Sequence, residues 1–256
     1  MIAFLELIGA KIAETVEEAG RIMLFFWHAI LWTFRPPFRL RNLVKQMEMV
    51  GVNSLTVVTI TATFTGMVLA LQSYTGFRRF GAETLVGTVV ALSMTRELGP
   101  VLTALMVAGR AGSFMAAELG TMRVTEQIDA LGTMAVNPVQ FLIVPRILAG
   151  IVMLPILTVL ADVLGMIGGY VVGVELLGIN SATYVRRTFD YLELEDIYNG
   201  LIKATFFGLV LSLIGCYKGY HAEGGAEGVG RATTSSVVLA CTLILVSDYF
   251  LSALLF

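Results

Sequence analysis

Residues 141–177 read FLIVPRILAGIVMLPILTVLADVLGMIGGYVVGVELL, and only Arg146, Asp162 and Glu175 among these 37 residues are charged. An α-helix needs about 20 predominantly apolar residues to cross the hydrocarbon core of a bilayer. The stretch therefore predicts one long membrane-spanning helix, and four further apolar stretches flank it. The five predicted spans cover residues 47–72, 84–110, 141–177, 197–218 and 233–256.

The composition of the whole chain points to the same environment. Of its 256 residues 57% are hydrophobic and 14% are charged, and the mean hydropathy is +0.83. A soluble domain carries about 25% charged residues. The formal net charge of -2 offers no basic field for nucleic acid, and Cys216 and Cys241 lack metal or redox spacing. We expect a single all-α integral membrane domain over residues 1–256, with neither nucleic acid nor metal bound.

Residues 1–34 differ from the spans, because their charged side chains gather on one side of a helical wheel. The apolar part, residues 22–34, is too short to span a bilayer, and Trp27 and Trp32 suit the headgroup level. The pattern predicts an amphipathic interfacial helix, with a signal-anchor helix that crosses the membrane as the alternative. The charged side consists of Glu6, Lys11, Glu14, Glu17, Glu18 and Arg21.

Basic residues in the connections predict the orientation. If residues 35–45 are cytoplasmic, the connections at 110–140 and 218–233 share that side, which then carries nine Lys and Arg residues against four on the other. Because cytoplasmic loops are enriched in Lys and Arg, we expect a cytoplasmic N-terminal helix and a C-terminus on the opposite side. The nine are Arg35, Arg39, Arg41, Lys45, Arg110, Arg123, Arg146, Lys218 and Arg231, and the four are Arg78, Arg79, Arg186 and Arg187.

Charged residues within the predicted spans are the first candidates for a functional site, because an unpaired charge there costs at least about 2.5–3.5 kcal/mol. Arg96 and Glu97 are adjacent and point about 100° apart on a helix, so each needs a partner on another helix or a wet cavity. Arg96, Lys203 and Asp248 lie within about 18 Å of the same membrane surface at 1.5 Å per residue. The sequence predicts one polar cluster from spans two, four and five. Salt bridges that only fix packing are the alternative.

The connection between spans two and three, residues 109–138, reads GRAGSFMAAELGTMRVTEQIDALGTMAVNP. It is rich in helix-forming residues but too polar for hydrocarbon, and Met115, Leu119 and Met122 recur on one face. We predict an amphipathic helix over residues 113–131 that lies parallel to the membrane and docks into another protein. A helix resting on headgroups is the alternative.

Two glycine patterns have structural interpretations. The chain contains no G-x-x-x-x-G-K-[ST] motif, so GYHAEGGAEGVGR at residues 219–231 predicts a tight turn and not a phosphate-binding loop. Gly165, Gly169 and Gly173 recur every four residues, which predicts close helix packing within or between subunits.

Four stretches give the chain a specific resemblance. Together with the hydropathy layout they resemble the MlaE-type permeases of the bacterial lipid ABC transporters that work with MCE proteins, and the likeness covers essentially the whole chain. RELGP followed by AGRAGS and AAELGTMRVTEQIDAL is the most specific part. The stretches are ALSMTRELGPVLTALMVAGRAGSFMAAELGTMRVTEQIDAL at 91–131, AVNPVQFLIVPR at 135–146, GVGRATTSSVV at 228–238 and LVSDYFLSALLF at 245–256.

The resemblance implies an assembly in the bacterial inner membrane. Such permeases form homodimers, each subunit with an interfacial helix and five spans, above two cytoplasmic ATPases that bind ATP and Mg. A STAS-domain subunit is often present, and a ring of MCE-domain subunits lies on the periplasmic side. By this resemblance the chain is no enzyme and holds no cofactor. It moves phospholipid between the inner membrane and the MCE carrier and so maintains outer-membrane lipid asymmetry.

The resemblance also implies roles for residues, none of them catalytic. The segment 113–131 corresponds to a coupling helix that inserts into the ATPase, and an outward-facing lipid cavity lies at the dimer interface. Phe80 keeps the bulk of a tyrosine there but lacks its hydroxyl. The polar cavity residues are Arg96, Glu97, Lys203 and Asp248; the lining residues are Leu69, Gln72, Ser73, Gly76, Phe77 and Phe80; the ATPase contacts are Glu118, Arg123, Glu126 and Asp129.

Two other functions stay open. An ion-coupled secondary transporter would need a coupling-ion site, for which Asp162 and Asp248 are the candidates, but the sequence lacks an inverted repeat of broken helices. A membrane scaffold without transport activity is the other. Pro100 and Pro155 are predicted flex points for a rigid-body motion, or else static kinks.

Overall fold

The computed structural model describes residues 2–36 and 39–255, with side chains from Gly9 onward. Within those residues the chain is all-α, and five helical rods are long and apolar enough to cross a membrane. This confirms the predicted fold class. The rods, called spans one to five, are Leu40–Phe80, Glu83–Val124, Val139–Leu176, Leu194–Tyr220 and Gly225–Leu255.

Spans two and three are not uniform α-helices, because wider π-helical turns interrupt them. These turns are at Met94–Leu98, Ala108–Gly112, Val139–Ile143 and Val171–Leu176. The bundle has an α7 end, where spans two and three connect, and an α9 end, where spans three and four connect. The α-helices of the described residues are α1 Ile2–Thr33, α2 Leu40–Val50, α3 Leu55–Phe77, α4 Val86–Ser93, α5 Gly99–Val107, α6 Ser113–Val124, α7 Gln127–Thr133, α8 Val144–Tyr170, α9 Ser181–Tyr191, α10 Leu194–Tyr220 and α11 Gly225–Leu255.

Glycines bring α8 into close contact with its neighbours at the centre of the bundle. A side-chain carbon on Gly66 of α3 would collide with the backbone of Gly165 in α8. Gly150 of α8 faces the backbone of Gly208 in α10, and a methyl group at either position would collide. The predicted small-residue stripe therefore packs helices within one chain, where backbones approach because side chains are missing.

The polar stretch 178–196, which lies between the third and fourth predicted spans, contains α9. The Asn180 side chain caps this helix by accepting a hydrogen bond from the Thr183 backbone N–H at 3.1 Å. Tyr184 points inward and its ring packs against Gly173, the last glycine of the stripe. Burial raises the pKa of the Tyr184 hydroxyl to about 12. Helix α9 was not predicted, because most of its residues are polar or charged and only a short face, with Tyr184, is buried.

The glycine-rich turn is also shorter than predicted. Gly224 and Gly225 have φ values of +90° and +68°, which glycine adopts at no steric cost, and α11 already begins at Gly225. Gly228 lies against the backbone of Glu223, where a side chain would collide. Span five is therefore extended toward the α7 end.

The N-terminal segment is a helix, as predicted, and α1 is not among the five described rods that could cross a membrane. Phe25 packs edge-on against Tyr217 of α10, with ring centroids 5.7 Å apart, and Glu18 forms an ion pair with Lys218. Residues 9–17 of α1 are exposed. The Glu6 side chain lies outside the described residues, and the position of α1 along the membrane surface stays a prediction.

Candidate functional site

Lys203 of α10 is a completely buried cation between three spans. Its Nζ lies 2.7 Å from Oε2 of Glu97 and 2.8 Å from Oδ1 of Asp248. It also donates to Oγ of Ser252 at 2.8 Å, and that hydroxyl lies 2.9 Å from Oε1 of Glu97. Spans two, four and five therefore meet at one polar cluster, as expected from the cost of charges in hydrocarbon. Glu97, Lys203, Asp248 and Ser252 are called the Lys203 cluster below.

A proline places a backbone acceptor in the same cluster. Proline lacks an N–H, so Pro100 cannot donate the α-helical hydrogen bond to the carbonyl four residues earlier. That carbonyl belongs to Arg96, and Nζ of Lys203 donates to it at 3.0 Å. Arg96 and Glu97 belong to the π-helical turn Met94–Leu98, and such turns are frequent at functional sites. Lys203 thus binds the irregular backbone of span two in addition to the carboxylates of Glu97 and Asp248.

Arg96 pairs with a carboxylate outside the Lys203 cluster. Its Nε lies 2.7 Å from Oδ1 of Asp196, which is 3% exposed. The other oxygen of Asp196 accepts the backbone N–H of Glu193 at 3.1 Å and completes a capping box at the start of α10. Asp196 lies outside the predicted spans and was not among the predicted site residues. The sequence signal is weak, because Glu193 and Asp196 stand where a capping box usually has Ser or Thr and then Glu or Gln.

The site is closed on one side and open on the other. The Lys203 side chain is 0% exposed and that of Asp248 20%, whereas the side chains of Arg96 and Glu97 are each 41% exposed. A half-exposed guanidinium, bonded to Asp196, and a half-exposed carboxylate, bonded to Lys203, therefore lie at neighbouring positions of span two. This pair can bind a ligand that carries both a phosphate and an amine, through charge-assisted hydrogen bonds.

The predicted lining residues lie at the end of α3 and in the turn that follows it. Phe80 is 84% exposed, while Leu69 and Phe77 pack partly against the core. These side chains form an outer surface of one chain, so a cavity along them requires a second surface opposite. The six residues are Leu69, Gln72, Ser73, Gly76, Phe77 and Phe80.

The segment 113–131, predicted as one helix parallel to the membrane, is divided in the structure. Residues 113–124 form α6 and continue span two, and α7 begins at Gln127. The break lies at Glu126, whose φ of 59° is left-handed. Val124 and Thr125 before it are both β-branched, which weakens helical structure. The predicted single helix is therefore corrected to two helices that meet at a break. Residues 113–133, which comprise α6, the break and α7, are called the elbow below.

The apolar face of the elbow is covered within the chain. Met115 and Leu119 are completely buried and Ile128 is 1% exposed. Gly219 of α10 packs against Leu119, and Gly120 faces Val229 of α11. The segment was predicted to dock into another protein, with its polar residues as the contacts. Its apolar face holds span two against spans four and five, so a partner would meet the polar face.

The four predicted ATPase contacts have different surroundings. Glu118 forms an ion pair with Arg146 of α8, a 3% exposed residue that the sequence reading had not singled out as a partner. Arg146 also donates to the carbonyl of Leu142 at 2.6 Å. Arg123 and Asp129 pair across the elbow at 2.7 Å. Glu126 is exposed at the break. Arg123, Glu126 and Asp129 are therefore accessible, and the Glu118 side chain, although it pairs with a buried arginine, is still 39% exposed.

Asp162 of α8 is a further buried carboxylate. It is 7% exposed, its Oδ1 has no hydrogen-bond partner, and it packs against Gly99, two positions after Glu97. The carboxylate of Asp248, in contrast, is paired with Lys203. Across residues 2–36 and 39–255, no group of three or more His, Cys, Asp or Glu side chains is arranged to hold a metal ion.

Comparisons with known proteins cover nearly the whole chain. The family described as Permease MlaE matches residues 43–254. A probable ABC transporter permease protein of Rickettsia typhi is 50% identical over 250 residues, 98% of this chain and 96% of that protein. The intermembrane phospholipid transport system permease protein MlaE of Haemophilus influenzae is 39% identical over 257 residues, 100% of this chain and 98% of that protein. The chloroplastic protein TRIGALACTOSYLDIACYLGLYCEROL 1 of Arabidopsis thaliana is 40% identical over 216 residues, 84% of this chain and 62% of that protein.

Proposed function

The chain belongs to the MlaE permease family, and from that premise we propose that it is the membrane subunit of an ATP-driven phospholipid transporter. The observation that carries the proposal is the Lys203 cluster, with Arg96 and Glu97 each 41% exposed beside it. A zwitterionic headgroup offers a phosphate to the guanidinium and an amine to the carboxylate. The 39% identity to a phospholipid permease over the full chain supports this substrate class.

The proposed assembly is a homodimer in the bacterial inner membrane, with the elbow cytoplasmic and the α9 end periplasmic. A second copy supplies the surface opposite the lining residues of α3. A pair of ABC ATPases, which bind ATP and Mg, contacts Glu118, Arg123, Glu126 and Asp129. A STAS-domain subunit and a periplasmic ring of MCE-domain subunits complete the assembly. In a two-membrane envelope this system moves lipid between the inner membrane and the MCE carrier and so maintains outer-membrane asymmetry.

The continuity of span two supports a mechanism. Span two is one helical rod that contains the turn at Met94–Leu98, α5 and α6. The rest of the elbow follows directly after it. A displacement of the elbow by the ATPases would therefore move Glu97 relative to Lys203, which belongs to a different span. Such a rigid-body shift changes the opening of the cluster and admits or expels a headgroup.

The test is purification of the tagged chain from native membranes, followed by identification of co-eluting proteins and bound lipid and by reconstitution into vesicles. We expect a stoichiometric ATPase, bound phospholipid and lipid transfer that stops without ATP. Transfer that persists without ATP and collapses with the proton gradient would establish the ion-coupled alternative. A complex that binds partners but transfers no lipid under any condition would establish the scaffold alternative.

A further inference from the structure

A cavity of about 330 Å³ lies at the α7 end, where the end of α1, the start of α2 and the start of span three meet. It is remote in sequence from the Lys203 cluster and shares no residue with it. Its wall combines apolar side chains with two guanidinium groups, and none of its described lining residues is acidic. The lining residues are Trp32, Thr33, Phe34, Arg35, Arg39, Leu40, Leu43, Gln140, Val144 and Leu148.

Aromatic rings hold the two guanidinium groups in place. The Arg35 guanidinium carbon lies 4.8 Å from the ring centroid of Trp32, and that of Arg39 lies 4.4 Å from the ring centroid of Phe141. The side-chain amide of Gln140 donates to the Arg35 carbonyl at 2.6 Å and ties the end of α1 to span three. Stacking uses the face of a guanidinium and leaves the N–H groups on its edge available for an anion.

We propose that this cavity binds one phospholipid with a negatively charged headgroup from the leaflet at the α7 end. The phosphate lies between Arg35 and Arg39, and an acyl chain follows Leu43, Val144 and Leu148. Basic pockets between membrane helices recognise anionic headgroups, and a tryptophan such as Trp32 is typical of the headgroup level. The inference uses only the membrane location of the chain, so it holds or fails independently of ATP-driven transport.

Trp32 lies in the cavity wall and can serve as a fluorescent probe. The chain has one other tryptophan, Trp27, so replacing Trp27 leaves Trp32 as the sole tryptophan of the chain. In a Trp27→Phe background the purified chain, without partner subunits, is placed in vesicles that contain brominated phosphatidylglycerol or brominated phosphatidylcholine at equal mole fraction. We expect the anionic lipid to quench Trp32 fluorescence more strongly at every mole fraction. Removing each arginine should lower the preference about fivefold, the equivalent of roughly 1 kcal/mol per basic residue near an anionic surface.

The decisive comparison is between Arg35→Gln/Arg39→Gln and Arg41→Gln/Lys45→Gln, which remove the same charge inside and outside the lining set. The first variant should lose the preference and the second should keep it. Equal quenching by both lipids in the parent protein, or equal loss in both variants, would overturn the proposal. So would relief of quenching by millimolar inorganic phosphate, which would reveal an anion site without lipid specificity. Quenching of Trp32 by brominated phosphatidylcholine should be the same in every variant, which checks that each variant is folded and inserted. If the double variant Arg35→Gln/Arg39→Gln fails to insert, the single variants Arg35→Gln and Arg39→Gln are measured instead.

Discussion

At the scale of single residues, Lys203 pairs with two carboxylates, Glu97 and Asp248. One carboxylate can therefore be removed without leaving the buried cation unpaired, which separates an effect on transport from an effect on packing. Glu97→Gln leaves Lys203 paired with Asp248, so we expect little change in the thermal unfolding midpoint but a large loss of lipid transfer. Lys203→Met leaves two carboxylates without their cation and should destabilise the fold by about 3–5 kcal/mol, as for other broken buried ion pairs. Thermal unfolding in detergent and transfer in vesicles measure the two effects. Normal transfer by Glu97→Gln at normal membrane abundance would leave only the packing role.

Asp162 allows a second prediction at this scale. An uncompensated carboxylate in a membrane span is costly, and its Oδ1 has no hydrogen-bond partner. We therefore expect Asp162→Asn to leave the unfolding midpoint unchanged or to raise it, with normal transfer. Asp162→Glu should lower the midpoint, because the side chain already packs tightly against Gly99. The exposed Asp129→Asn serves as the matched control for the charge change. A strongly destabilised Asp162→Asn would show that the charge itself is needed.

At the scale of helices, close backbone contact makes Gly66 a sensitive position. Gly66→Ala would drive a methyl group into the backbone of Gly165, which belongs to another helix and cannot yield by a rotamer change. We expect a loss of about 1–3 kcal/mol, typical of overpacking. Gly20→Ala in α1 has open space around it and should gain up to about 1 kcal/mol from helix propensity. Thermal unfolding of both variants tests the contact, and equal tolerance of both would contradict it.

The elbow gives a prediction that distinguishes its charged residues. Glu118→Ala leaves Arg146 buried without its carboxylate and should cost about 3–5 kcal/mol. Glu118→Ala/Arg146→Met removes both charges and should recover most of that loss. Glu126→Ala, an exposed change in the same segment, should stay within about 0.5 kcal/mol. Thermal unfolding completes the double-mutant cycle. Additive losses in the double variant would mean that Glu118 does not act through Arg146.

The sequence predicts these elements to different depths for physical reasons. Hydropathy locates all five spans, because each buries its backbone polar groups by itself in hydrocarbon. The cost of charge also predicts that spans two, four and five share a cluster. The hydrogen bond from Lys203 to the Arg96 carbonyl cannot be predicted from the sequence, because it depends on how the helices are rotated about their axes. The break at Glu126 and the helix α9 were missed, because short polar helices are fixed by tertiary contacts such as that of Tyr184.

At the scale of the whole molecule, the orientation of the bundle decides which end faces the ATPases. The α7 end carries nine of the thirteen basic residues used for the assignment and should be cytoplasmic. Ala182→Cys in α9 and Thr133→Cys in α7 are exposed reporters at opposite ends. Both native cysteines, Cys216 and Cys241, are replaced by alanine to remove background. A membrane-impermeant maleimide added to intact spheroplasts should label Ala182→Cys alone, and both reporters after permeabilisation. The reverse pattern would place the elbow outside the cell, where no ATPase could drive it, and the proposed coupling through span two would fail.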